Sequence, residues 1–483
     1  MHYGEQSNDS TSIEMRENTD VKNLRTEVAL YGADSVQNGY IKGYYYQSER
    51  GLPGATIFYN TQNFSSQRIW DHSAFLQGHY ERNFNNIVSL QLNAKYNYTF
   101  THYLDPIYLG SEGKEENRYT QNEYYLSGAV VYRPISGLSF NLSQDGIINT
   151  LEADLDNFTS PTRYTSLTAI AGKYVNNWVM ATASVLMTAM KDVMADNTQG
   201  QQRFKASPYV SVAFKPFEQV DFRVRAFYKN IFRLPTFNDL YYTDMGNAYL
   251  KPELAKQHNV GLSFTQPFRI AEQRGSEFRI NADYYYNRIS DKIIAYPKGQ
   301  QFRWTMLNLG LVKINGLDVN AQLHLVLPMD FYLTAKAQYT YQTAIDVTDP
   351  NDTYYGDQIP YIPWHSGSAV GMFGWQNDWQ QYGLNYSFIY VGERYNQQEN
   401  IIYNYTQPWY THDLSVFGEW NIQPTAKRST GVADLPSTAK RSISPITLRV
   451  AIDVNNLLSQ DYDVIINYPM PKRNYKCTVS ITY

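Results

Sequence analysis

Tyrosines set among neutral amide side chains mark the stretches of this chain that could hold a ligand. Residues 395–405 read Tyr-Asn-Gln-Gln-Glu-Asn-Ile-Ile-Tyr-Asn-Tyr, so Tyr395, Tyr403 and Tyr405 stand beside several side-chain amides. Tyr241 and Tyr242 occupy a second such stretch, and Arg50 and Trp70 flank a third, the segment Gly51 to Ser66. Aromatic faces give apolar contact while amides and a guanidinium orient polar groups, a combination that suits a bulky polar ligand. The chemistry implied is capture rather than bond breaking.

The sequence offers no pattern for catalysis. His2, His72, His79, His102, His258, His324, His365 and His412 show no His-x-x-x-His spacing, and Cys477 is the single cysteine. An internal disulfide and a cysteine metal cluster are therefore excluded. His72 and His79 lie seven apart on one expected strand, which turns them to opposite faces. No Gly-x-Ser-x-Gly elbow, phosphate loop or dinucleotide fingerprint occurs. The carboxylate pairs Asp346 with Asp349 and Asp352 with Asp357 read as solvated loop residues, with a Ca²⁺ site as the other chemistry open to them. The reading is no enzyme, no cofactor and no resident metal, and a net charge of -4 gives no reason to expect nucleic acid.

The elements that must carry these loops are strands. Arg473 to Tyr483 alternates strictly, placing Tyr475, Cys477, Val479, Ile481 and Tyr483 on one face and Lys476, Thr478, Ser480 and Thr482 on the other. Period two makes one face apolar and the other wet. Segments of similar character recur, among them Gly39–Ser48, Gln67–Arg82, Ile87–Thr101, Arg118–Tyr132, Trp178–Met190, Phe278–Tyr286, Leu317–Leu327 and Phe331–Gln342. They exceed the five or six residues of an ordinary strand and match the roughly nine to eleven needed to cross a bilayer at a tilt. No run approaches the roughly 18 apolar residues of a membrane helix. The chain has 44 Tyr and 22 Phe but only 18% charged residues, which fits aromatic girdles around an apolar wall. A tyrosine-rich soluble sandwich or propeller is the competing composition.

Loop rhythm separates the two. Tight links at Asn83–Asn86, Pro134–Gly137, Val175–Asn177, Pro216–Gln219, Pro328–Asp330 and Gln376–Asp378 take turns with long ones at Leu104–Asn117, Asp154–Pro161, Ala195–Gln201, Leu234–Leu254, Thr348–Pro360 and Ser459–Lys472. Short turns on one side and long loops on the other are what an antiparallel up-and-down transmembrane β-barrel requires, with the short side periplasmic. The fold class is thus all-β, with about nineteen strands. Residues 1–21 read as a polar partial outer loop and 22–483 as the barrel. The segment 423–445 breaks the rhythm: Thr-Ala-Lys-Arg-Ser occurs in it twice, and it reads as a flexible periplasmic insert.

The run Asn230 to Tyr242, followed by Gly246-Asn247-Ala248-Tyr249-Leu250-Lys251-Pro252-Glu253, closely resembles the signature of TonB-dependent outer-membrane receptors. The residues that carry it are Phe232, Arg233, Pro235, Leu240, Tyr241, Gly246, Asn247, Leu250, Pro252 and Glu253. Asn455-Asn456-Leu457-Leu458, Tyr462, Tyr468-Pro469-Met470-Pro471 and Arg473 are similar to the family's last loop and strand, although Lys472 stands where Gly is common. Gln47 to Gly54 with Gln67 to Asp71 looks like Bacteroidota-type receptors assigned to cobalamin or iron complexes. The resemblance implies a 22-stranded barrel of which about nineteen strands are present, and an N-terminal plug domain that is absent. It implies partners as well: outer-membrane lipid, the TonB-ExbB-ExbD system reached through the missing plug region, a surface lipoprotein, and a barrel-assembly machinery that reads Tyr483. The function it implies is uptake of a scarce bulky nutrient at the bacterial cell outer membrane, cobalamin or a ferric siderophore or haem ahead of the alternatives. Those are a plug-free passive channel, a glycan importer working with a lipoprotein, and a soluble all-β binding protein.

Overall fold

Alternation along the chain produces long strands and little else. The computed structural model describes residues 2–7, 10–15, 17–56, 66–107, 113–196, 200–242, 245–270, 273–298, 303–422 and 446–482. The expected insert at 423–445 and Tyr483 lie outside these residues. Within 1–21, β1 (His2–Ser7) and β2 (Ser10–Met15) pair as a hairpin. The barrel begins with β3 (Val21–Ala33), β4 (Gln37–Leu52), β5 (Gln67–Asn83), β6 (Val88–Asp105), β7 (Glu115–Ile135), β8 (Leu138–Ala153), β9 (Pro161–Val175) and β10 (Val179–Met194). It continues through β11 (Gln202–Phe214), β12 (Asp221–Arg233), the short helix α1 (Phe237–Tyr241), β13 (Glu253–Ile270), β14 (Gln273–Lys298), β15 (Arg303–Val326), β16 (Phe331–Asp346), β17 (His365–Gln376) and β18 (Gln380–Val391). A small hairpin of β19 (Arg394–Tyr395) and β20 (Tyr405–Thr406) precedes β21 (Trp409–Ile422), β22 (Ile446–Asn455) and β23 (Asn474–Thr482).

Nineteen strands, β3 to β18 and β21 to β23, wrap into one barrel in chain order, as the loop rhythm requires. The expected tight turns and long loops fall where the sequence places them, and β13 pairs with β14 as far as Ile270 with Gln273. Two strands are longer than expected: β14 has 26 residues and β15 has 24. Their outer halves pair with each other above the wall, from Lys292 with Leu309 to Lys298 with Arg303.

The two faces differ as alternation demands. Leu126, Leu142, Ile170 and Phe204 point outward and are more than half exposed. In water such a surface would drive association, whereas a wall facing hydrocarbon needs it. The opposite face carries ion pairs that cross between strands, including Lys42 with Glu27, Arg225 with Asp283 and Arg449 with Glu419. Near the outer ends, tyrosine hydroxyls meet histidine Nδ1 atoms on the outward face, Tyr45 with His72 at 3.2 Å, Tyr339 with His365 at 2.7 Å and Tyr386 with His412 at 2.6 Å. These form part of the aromatic girdle expected where hydrocarbon gives way to headgroups.

Among the described residues, clusters of buried apolar side chains lie beneath the outer loops. Ala255, Ile289, Leu309, Val312, Ala344 and Ile359 form one such cluster, and Tyr119, Leu151 and Phe237 another. One joint of the barrel differs from the rest. β23 closes the barrel as the hydrogen-bonded neighbour of β3, while the pairs β22–β23 and β3–β4 beside it are joined by long antiparallel ladders. Side chains on both faces of β3 are exposed almost throughout. Above the joint the loops meet: the Thr56 N–H and hydroxyl both donate to the Asn467 carbonyl, at 2.8 and 3.1 Å.

Candidate ligand-capture site

The Pro235 to Glu253 loop folds because its own side chains close it. Thr236 caps α1 by accepting from the Asp239 N–H at 3.1 Å, while the Asp239 carboxylate accepts from the Thr236 N–H at 2.9 Å. This reciprocal capping box satisfies donors that a helix start leaves open. Gly246 follows so closely that a Cβ there would lie 2.7 Å from the Tyr242 N and O, which only glycine avoids. Asn247 then donates to the Met306 carbonyl, and Leu250 packs with Leu240 and Ile293. Glu253 accepts from the Ile293 N–H at 3.0 Å and lies 3.7 Å from Arg233, which also reaches Asp239 at 3.2 Å.

The loop does not stay over its own strands but leans inward along the wall to strands three to five places away. Arg163 on β9 donates to the Pro235 carbonyl at 2.6 Å, lies over the Phe237 ring at 5.0 Å, and pairs through two bonds with buried Asp192 on β10. Gln121 on β7 donates to Asn238 at 2.8 Å. The Tyr242 ring stacks on Tyr119 with centroids 4.8 Å apart, and Tyr241 meets Phe158 edge-on at 5.8 Å. In strand register Tyr119 shares a row with Thr101 and Asp71, and the Thr101 hydroxyl donates to Asp71 at 2.9 Å. Asp71 in turn pairs with Arg50 at 2.8 Å.

Arg50 and Tyr242 of the sequence candidates are thus brought to one locus, with Tyr241 beside it. Burial pushes the Tyr242 phenol up to about 12, with the Asp71 charge adding to the shift and Arg50 opposing it. Burial raises the Tyr241 phenol too, with Asp192 adding. The neutral form is favoured on folding, so below pH 10 Tyr242 contributes no pH dependence. Loop stability should fall as pH rises from about 10 to about 12. A difference titration at 295 nm between the native chain and Tyr242→Phe should show one phenol ionising near the upper value; ionisation near 10 would mean an exposed ring.

The other candidates lie apart. Trp70 directly precedes Asp71 on β5 and so faces outward, where it stacks on His102 at 4.6 Å. Tyr395 and Tyr405 face each other across the β19–β20 hairpin with centroids 6.0 Å apart. Tyr403 is 89% exposed at the tip of that loop. Sequence reading missed the anchors: Arg163 with Asp192, Tyr119, and Arg394. The last is buried and donates to the Gln407, Asp463 and Val464 carbonyls at 3.0, 2.6 and 3.0 Å, which ties two outer loops together. A third loop joins through Asn400, which both accepts from the Gln358 N–H and donates to its carbonyl. One expectation is corrected here. Asp346 is not solvated; it is 3% exposed, accepts from Thr348 and Gln398, and belongs to this latch. Among the described residues no group of three or more His, Cys, Asp or Glu is placed to hold a metal.

Residues 11–457 match the family described as TonB dependent receptor-like, beta-barrel. The chain belongs to the TonB-dependent receptor β-barrel family. It is a bacterial outer-membrane protein. It is 38% identical over 90 residues to the vitamin B12 transporter BtuB of Vibrio vulnificus, a stretch covering 19% of this chain and 13% of that protein. The vitamin B12 transporter BtuB of Photobacterium profundum is 27% identical over 178 residues, 35% of this chain and 24% of that one. The crystal structure of BauA, the ferric preacinetobactin receptor from Acinetobacter baumannii, superimposes with a TM-score of 0.67 at 10% identity over 96% of this chain and 73% of BauA. The match to the two transporters thus spans less than a quarter of their length, and the likeness to BauA is one of fold.

Proposed function

We propose that this receptor barrel takes up a bulky polar nutrient across the outer membrane, with a corrinoid as first choice and a ferric chelate as second. The observation that carries the reading is the signature loop leaning inward along the wall, which sets the Tyr242 and Tyr119 rings beside the Arg50–Asp71 pair. Stacked rings next to a guanidinium offer a flat apolar surface with a charged edge, which suits a macrocycle or chelate bearing amide and carboxylate groups. Tyr403, exposed at the tip of the β19–β20 loop, would make first contact. Both named vitamin B12 transporters among the relatives favour the corrinoid. Inward movement would draw on the TonB-ExbB-ExbD system, and a surface lipoprotein could close over the loops.

Equilibrium binding of cyanocobalamin, haemin and a ferric catecholate to the purified chain tests the proposal. Cyanocobalamin, or failing it one of the two iron compounds, should bind, and Tyr242→Ala should weaken it about five- to thirtyfold, as loss of a buried aromatic anchor does. In cells, a deletion strain should fail on limiting cobalamin while growing normally on limiting haem or iron. Equal growth on all three would reject the corrinoid.

A further inference from the structure

The outward wall holds a groove of about 990 Å³ across β4 to β11, lined almost wholly by apolar surface. Strand register explains it. Between outward-facing Leu126 and Phe204, Gly146 pairs with Ser166 and Ser166 with Ala189, so the side chains along this part of the row are small. The next row toward the outer ends is bulky: Tyr96 pairs with Tyr124, Ile148 with Tyr164, and Tyr164 with Lys191. The Tyr96 and Tyr124 rings lie 5.1 Å apart and form a continuous rim over the floor.

The rim ends on a cation. Lys191 is exposed, three residues short of the outer end of β10 at Met194, and faces outward with Tyr164. Its register partners Tyr164 and Gln202 are uncharged. Asp192, the next residue, is turned to the other face and held by Arg163. Among the described residues no carboxylate forms an ion pair with Lys191. A charge is costly at an apolar wall unless it reaches the headgroup level, where an anionic group can meet it.

We infer that this groove is a binding site for an anionic lipid of the outer leaflet, its acyl chains lying along the small-residue floor and its phosphate on Lys191. Three features agree on that occupant. The groove opens onto hydrocarbon, so its natural filling is an acyl chain; the phenols sit at the depth where hydroxyls reach headgroups; and, among the described residues, the cation at its outer end lacks an anion. A floor of Gly and Ala lets chains approach the backbone closely and gain contacts that bulky side chains would prevent.

Electron paramagnetic resonance on the full chain in vesicles, with spin-labelled phosphatidic acid and phosphatidylcholine of identical chains, provides the test. The wild-type chain should restrict phosphatidic acid about fivefold more strongly, the factor a basic residue contributes near a charged surface. Lys191→Gln should abolish that preference while leaving restricted phosphatidylcholine unchanged. Gly146→Leu should lower the restricted fraction of both lipids, and a Cβ at that position meets nothing within 4 Å, so the barrel has no reason to misfold. Heat-modified gel mobility reports folding for both variants. Equal restriction of the two lipids by wild type, or an unchanged fraction in folded Gly146→Leu, overturns the inference.

Discussion

Arg163→Ala should release the signature loop from β9 and β10 while leaving the barrel assembled. The substitution strips Asp192, only 4% exposed at its side chain, of its one salt-bridge partner among the described residues, and removes the donor to the Pro235 carbonyl and the cation over Phe237. Breaking a buried pair from one side costs about 3–5 kcal/mol, because the remaining charge stays desolvated and alone. That cost falls on the loop rather than on the strand ladders, since openings of a structure follow its weakest cooperative unit. Hydrogen exchange across residues 234–253 should accelerate by two to three orders of magnitude, roughly the factor that such an energy gives. Exchange in β9 and β12 should stay close to native. If the loop retains its protection, Arg163 is not its anchor. Ligand binding should fall with it, because Tyr242 would no longer be held against Tyr119.

Arg394→Ala should unfasten the outer loops from one another. One guanidinium there serves carbonyls on two segments, Gln407 on its own loop and Asp463 and Val464 on the last. Each bond from a charged donor is worth about 1.5–3 kcal/mol, so losing three costs roughly 3 kcal/mol or more even with partial rehydration. Limited proteolysis should gain new cuts within 393–408 and 459–472, and a spin-label distance between the two loops should broaden. Arg394→Lys should fall between, since a single ammonium cannot fork to both sides. An unchanged cleavage pattern in the alanine variant would show that Asn400 and Gln358 hold the latch without it.

How much of this could be read beforehand follows from the range of each signal. The wall was legible because period two repeats along every strand and turn length alternates with it, and both are local. The signature loop was legible as a folded outer loop because Pro235, Asp239, Gly246 and Asn247 each act within a few residues. Its destination was not. Nothing near Tyr242 specifies that its ring stacks on Tyr119, from a strand five places along the wall. Trp70 failed to join the site for a related reason: β5 begins at Gln67, so alternation already governs its direction and sends it away from Asp71. Asp346 looked like a solvated loop residue, and Arg394 did not stand out, because their partners, Gln398 and the carbonyls near Asp463, are supplied by other loops.

The joint between β23 and β3 has a mechanical meaning. In a ring built only of hairpins, every joint is antiparallel when the strand count is even. With nineteen, the two strands that meet must run the same way. All other joints are spanned by turns or loops between consecutive strands, so widening them requires breaking a long ladder. Among the described residues this joint is crossed by no such connection: β23 meets β3 by hydrogen bonding alone, and above it the Thr56 N–H and hydroxyl donate to the Asn467 carbonyl. Under lateral tension from the bilayer, of the joints between described strands this one would have no turn to share the load.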